Sequence, residues 1–266
     1  MSLTQSPGPL SGSPGPGNYA IDGPRHRLML TPLPRRVRGD LGGRTVIDTD
    51  RAALVHETGL RPQLYVPLDA IDPALLQRTE HTTHCPFKGD ASYRSIRAGE
   101  RVAENALWVY DDPLPAASWL HGLAGVYLER LDRWRDEEED VLGFPDPYHR
   151  VDVRRTARHV QVRARGEVVA DSRAALLLSE TALPNRYYLP RADVTATLQG
   201  PTGRTTFCPY KGEASYATLV LGDGSELADA AWCYEAPYPE SAAVAGHVSF
   251  WGDDVEVIVD GAAVAS

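Results

Sequence analysis

The chain has 266 residues, 42% of them hydrophobic, which suffices to bury a core and, at about 150 residues per domain, to form two domains. Its 27 basic and 36 acidic residues leave a net charge of −9, which excludes a general affinity for nucleic acid or anionic membranes. No stretch approaches the roughly 20 apolar residues that span a bilayer, so no membrane partner is expected.

Residues 1–24 open with "MSLTQSPGPLSGSPGPGNYA", rich in Pro, Gly and Ser, and read as a disordered tail. The stretch has neither a basic start nor an apolar centre and is not expected to be a secretory signal. The first β module is expected over 25–127. It begins with "RRVRGDLGGRTVIDT", a hairpin with an extended turn, and continues through "HETGLRPQLYVP", "HCPFKGDASY" and "ALWVYDDPLP".

Residues 128–150 read as an acidic helical linker. In "LERLDRWRDEEED", Leu128, Leu131 and Trp134 fall three apart, a helical stripe with an acidic far side. "GFPDPYHR" then breaks that helix with two prolines. The second module is expected over 151–266. In it "HVQVRARGEVVADS" alternates apolar and polar residues on both sides of Arg165-Gly166, and "RYYLP", "ATLVLGDGSEL", "AWCYE" and "VEVIVDG" add short strands.

The two modules are copies. "HCPFKGDASY" (84–93) returns as "FCPYKGEASY" (207–216), identical at seven of ten positions. Outside it, Glu57 pairs with Glu180, Tyr65 with Tyr188, Trp108 with Trp232 and Tyr110 with Tyr234. Each copy should be a compact, mainly antiparallel β-barrel or sandwich, and the two should pack on each other.

Of the 27 basic residues 25 are Arg, and the two lysines, Lys88 and Lys211, both lie in the repeated decapeptide. An ammonium is a compact charge that can lose its proton when buried, whereas a guanidinium is broad and always charged. Cys85 and Cys208 precede these lysines by three residues, with Pro between, and Gly89 and Gly212 permit a bend just after them. A nearby ammonium would favour a thiolate, or a desolvated Lys could itself act as base or amine nucleophile. Glu57 or Glu180 would complete an acid–base constellation, with Tyr93 or Tyr216 as hydrogen-bond donor. The plainer alternatives are inert buried thiols, a Lys–Glu pair that only fixes the loop, and Trp and Tyr as core or pocket wall. In "WCY", Cys233 replaces Val109 and reads as a small packing residue.

"RTVIDT…HET…LYVP…CPFKGDASY…ENALWVYDDPLP" and "GEVVADS…SET…RYYLP…CPYKGEASY…AAWCYEAPYP…AGHVSF" resemble two tandem copies of the domain-of-unknown-function 427 family. "DPYHRVDVRRTARHV" resembles the junction of its tandem actinobacterial members. The resemblance covers about 25–264 and implies a β module shaped like methionine sulfoxide reductase B. Relatives of that shape hold zinc through two C-x-x-C pairs; with one motif Cys per copy, no metal is expected here. The family also carries a nucleotidyltransferase-like label. Asp48 and Asp50 in "VIDTD" have metal-pair spacing, yet copy two reads "ADSR". "AGHVSF" supplies His247 in copy two alone.

The leading expectation is a cytoplasmic enzyme acting on a small polar metabolite. Its catalytic residues would be Lys88, Glu57 and Cys85 with Lys211, Glu180 and Cys208. Tyr65, Tyr93, Trp108, Tyr110, Tyr188, Tyr216, Trp232, Tyr234 and His247 would bind substrate; the sequence leaves the cofactor unknown. A non-catalytic small-molecule binder, and a structural or partner-binding protein with the loop as a folding staple, stay open. Three cysteines without C-x-x-C spacing point to reduced thiols and a cytoplasmic setting.

Overall fold

The computed structural model describes residues 23–181 and 183–264; the expected tail lies almost wholly outside them. The chain divides into two compact units after Asp146.

In the first unit the strands are β1 (Leu28–Pro32), β2 (Val37–Leu41), β3 (Arg44–Thr49), β4 (Ala53–Glu57), β5 (Gln63–Pro67), β6 (Leu76–Cys85), β7 (Gly89–Ala98), β8 (Arg101–Val109), β9 (Leu123–Val126), β10 (Arg133–Asp136) and β11 (Glu139–Val141). They form an antiparallel sheet in the order β1-β4-β5-β9-β8-β7-β6 and a second in the order β11-β10-β2-β3.

The second unit repeats this plan with β12 (Val151–Arg155), β13 (Val160–Ala164), β14 (Glu167–Ser172), β15 (Leu176–Glu180), β16 (Arg186–Pro190), β17 (Thr197–Gln199), β18 (Thr205–Cys208), β19 (Gly212–Val220), β20 (Glu226–Cys233), β21 (His247–Phe250), β22 (Val255–Val259) and β23 (Ala262–Val264). Its large sheet runs β12-β15-β16-β21-β20-β19-β17, with β18 also on β19, and its small sheet runs β14-β13-β22-β23. Among the described residues no sheet closes into a barrel, and no helix is long and apolar enough to cross a membrane.

Strand alternation explains this layering. Leu54, Leu64, Val66, Leu107 and Val109 join Val37, Leu41 and Ile47 of the small sheet in one core. Their neighbours Val55, Tyr65 and Trp108 point the other way, into an aromatic cluster on the outer face of the large sheet. Module two has the same pair of cores, with Tyr188 and Tyr234 in the outer one. Both faces of the large sheet are therefore buried, and the outer cluster positions the candidate site.

Two expectations are corrected. The acidic linker helix is absent: Leu128–Arg130 forms one 3₁₀ turn, and β10 and β11 complete the small sheet of module one. Trp134 pairs with Gly39, where a Cβ would lie 2.8 Å from Leu131 and 3.0 Å from the indole. Leu131 and Trp134 are buried, so the three-residue spacing marks core positions in an extended chain and tertiary pairing overrides the helical period. The acids are answered by arginines of the sheet: Glu138 meets Arg38 at 2.9 Å and Asp136 meets Arg35 at 2.9 Å. The first hairpin also has no extended turn. Gly42-Gly43 and Arg165-Gly166 both close two-residue turns with positive φ, the geometry that matches strand twist.

Gly125 makes room for a neighbour. A Cβ there would lie 2.0 Å from Trp108. Gly125→Ala is expected to displace the indole and cost about 1–3 kcal/mol, read as a lowered urea midpoint; an unchanged midpoint would contradict this packing.

Candidate functional site

The repeated decapeptide is the tip of a hairpin. Cys85 pairs with Gly89, and the Lys88 N–H donates to the Cys85 carbonyl at 3.3 Å. Cys208, Gly212 and Lys211 repeat this at the same 3.3 Å. Gly89 (φ +103°) and Gly212 (φ +94°) hold backbone conformations that a side chain would strain. The Lys carbonyls then accept from Leu114 N–H at 3.0 Å and Tyr238 N–H at 3.2 Å, tying each turn to the segment after the W-x-Y strand.

Closed by these bonds, the turn aims its Lys inward. Lys88 Nζ donates to Glu57 Oε2 at 2.5 Å, and Lys211 Nζ makes the same bond to Glu180 Oε2. Both pairs are nearly shut off from water, with side chains 10–11% exposed. The second carboxylate oxygen is also taken. His26 Nε2 donates to Glu57 Oε1 at 2.8 Å, and His149 Nε2 to Glu180 Oε1 at 2.9 Å. Each imidazole stacks on the aromatic residue preceding the Lys, His26 on Phe87 at 3.6 Å and His149 on Tyr210 at 4.2 Å. Each module thus holds a His–Glu–Lys cluster with the same atoms paired.

The electrostatics follow from the geometry. Burial alone would raise the Glu180 carboxyl, but hydrogen bonds from His149 and Lys211 and the ammonium's charge outweigh it and hold the group at about 2. Glu180 is then a carboxylate that only accepts, so His149 Nε2 carries the proton. A Glu this acidic is a poor general base, and an ammonium locked in such a pair is a poor nucleophile.

The predicted aromatic residues pack among themselves on the outer face of each large sheet, and Tyr110 also approaches a residue of the cluster. Trp108 Nε1 donates to the Tyr65 hydroxyl at 2.8 Å and Trp232 Nε1 to that of Tyr188 at 3.2 Å. Lys88 Nζ lies 5.8 Å from the centre of the Tyr110 ring. Burial pushes the phenols of Tyr65, Tyr110, Tyr188 and Tyr234 upward, so all four stay neutral. Tyr93 and Tyr216 pair their hydroxyls with Thr83 and Thr206 at 3.1 and 2.9 Å. Cys85 and Cys208 pack, half-buried, against the two aromatic clusters as free thiols.

Other sequence candidates go elsewhere. His247 opens β21 opposite Pro190 and donates its Nδ1–H to the Ala245 carbonyl at 3.0 Å. Asp48 is bound by Arg36 through two hydrogen bonds of 2.6–2.8 Å, a surface ion pair. Cys233 is more than packing: its thiol meets Arg191 at 3.0 Å and Glu235 at 3.1 Å.

A family model described as "Domain of unknown function (DUF427)" matches residues 29–137 and 152–261. The chain belongs to the DUF427 family. No curated protein matches it. Each DUF427 segment encloses one Glu and one Lys of the cluster, but both begin three residues after the cluster's histidine, His26 or His149. The first runs to residue 137 and so includes β10 in the module.

Sequence reasoning singles out neither histidine, because each lies outside the well-matched blocks and His149 falls in the supposed linker. The signal was present in spacing. His, Glu and Lys are separated by 31 and 31 residues in both DUF427 modules.

Proposed function

We propose that each module is a site for a small polar metabolite in which the imidazole is the working group and the Lys–Glu pair holds it in place. The observation that supports this is the repeated His Nε2–H to Glu bond. In module one it commits His26 Nε2 to Glu57 and leaves Nδ1 as the atom suited to taking and returning a proton, with Glu57 to stabilise the imidazolium that forms. The imidazoles are also more exposed than the pairs behind them, at 24% for His26 and 13% for His149. On this reading the protein is a cytoplasmic enzyme of proton-transfer type. Lys and Glu are positioning residues, the Cys thiols have an accessory place, and Tyr and Trp form walls. Three free cysteines favour a reducing compartment. The likeness to the methionine sulfoxide reductase B shape belongs to this proposal too, as an open two-sheet variant.

A folding staple is the second reading, favoured by the closure of the Lys–Glu pairs. His26→Gln with His149→Gln separates the two. The Gln amide can still donate to Glu, so the fold is retained while the titratable nitrogen is lost. Native mass spectrometry of freshly purified protein is expected to show a co-purified metabolite in the wild type and its loss in the double variant, with the melting temperature kept within about 3 °C. Equal metabolite content in both proteins, or a melting temperature that falls while no metabolite is found in either, would leave only the staple.

A further inference from the structure

Module two contains a cavity of about 290 Å³ whose wall includes Ser215 and Ala217 of β19 and Ala231 and Cys233 of β20, with Arg191 and Glu235 at its rim. None of His149, Glu180 and Lys211 lines it. Module one provides the comparison, because its strands pair in the same register: Ser92 with Val109 and Arg94 with Leu107, against Ser215 with Cys233 and Ala217 with Ala231. Where module two has Ala217, module one has Arg94, its side chain 12% exposed and bonded to Ser92 Oγ and Asp111 Oδ1 at 2.8 Å each. Where module two has Ala231, module one has the fully buried Leu107. Two large side chains in one copy thus correspond to two alanines in the other. The rim differs at the same place, since the sequence puts Leu68 at the position of Arg191 and Asp111 at that of Glu235.

Each module keeps one arginine and one carboxylate here, Arg94 with Asp111 in module one and Arg191 with Glu235 in module two. Module two carries its arginine after β16 instead of on the strand, so both strand positions are vacated and the ion pair stands beside the space, an arrangement suited to a ligand. The lining also specifies a chemistry. Arg191 Nη2 and Glu235 Oε1 lie 2.7 Å apart at the mouth, so a cation and an anion are presented side by side. Behind them are two alanine methyl groups, the Ser215 hydroxyl and the Cys233 thiol. Burial and the bond to Glu235 push that thiol up to about 11, so it is a neutral wall atom. At roughly 30 Å³ per water, the space takes about ten water-sized groups, the scale of a single amino acid.

We propose that this cavity binds a small zwitterion with an apolar body, an α-amino acid, its carboxylate on Arg191, its ammonium on Glu235 and its side chain against Ala217 and Ala231. The site contains none of His149, Glu180 and Lys211, and shares only the walls Tyr216 and Trp232 with the aromatic residues assigned to that cluster. Isothermal titration of the full chain with L-phenylalanine and L-leucine tests it, with 3-phenylpropionate and phenethylamine as analogues lacking one charge. Saturable binding of an amino acid is expected, with each analogue about tenfold weaker or worse. Ala217→Arg, which restores the residue of module one, is expected to abolish binding. Arg191→Leu should weaken it by about tenfold or more. His149→Gln should bind as the wild type does, so failure here and failure of the imidazole proposal are told apart. The proposal is overturned if neither amino acid binds saturably, if a singly charged analogue binds as tightly, or if Ala217→Arg binds unchanged while folding normally by circular dichroism.

Discussion

Lys211→Ala is expected to lower the unfolding free energy of module two by about 3–5 kcal/mol, because it leaves the Glu180 carboxylate buried with its principal cation removed. The pair is about a tenth exposed, so water can replace little of the lost interaction. Lys211→Arg should not rescue it: the broad guanidinium must enter a space closed by the Gly212 turn and by the Tyr238 N–H bonded to the Lys carbonyl. In an otherwise arginine-rich chain, this exclusion accounts for a lysine at both positions. Glu180→Gln combined with Lys211→Met should cost markedly less than the two single changes summed, since no charge is left stranded. Urea unfolding followed by tryptophan fluorescence measures all five variants. A loss below about 1 kcal/mol for Lys211→Ala, within the range of surface ion pairs, would show that the pair does not hold the loop.

The second large effect is on acid stability. The Glu180 carboxyl lies at about 2 in the folded protein against an ordinary 4.5. A depressed carboxyl adds stability that is complete above its unfolded value and is lost as pH falls towards the folded one, so the loss runs from about pH 4.5 down to about pH 2. Its size is about 3 kcal/mol at 1.36 kcal/mol per unit. Unfolding free energies between pH 6 and pH 3 should therefore fall in the wild type and fall less steeply in Glu180→Gln. Identical slopes in the two proteins would contradict the assignment.

Much of this was legible in the chain because duplication acts as an internal comparison. The shared "CPxKG" and "WxY" segments mark the repeated loop and strand in both copies, and in "WVY" period-two alternation puts Trp108 and Tyr110 on one face with Val109 on the other. That Lys88 meets Glu57 follows from strand order: β4 and β7 lie in one sheet, and the turn at Gly89 brings the Lys back over it. The acidic segment was misread because Leu128, Leu131 and Trp134 satisfy a helical period, while the pairing of Trp134 with Gly39 is a long-range contact that no local window contains. His26 and His149 escaped for a related reason. Each sits at the start of its module, and only the fold brings it against a Glu 31 residues away. Cys233 looked like a substitute for Val109, yet Arg191 and Glu235 come to it from outside its own strand.

The protonation of the two imidazoles tests the central claim most directly. Long-range ¹⁵N–¹H correlation spectra of the full chain near pH 7.5, assigned with His26→Gln and His149→Gln, are expected to show the neutral rings of His26 and His149 carrying the proton on Nε2 and lacking it on Nδ1. Protons on Nδ1, or averaged tautomers like those of a free side chain, would mean that Glu57 and Glu180 do not orient these rings.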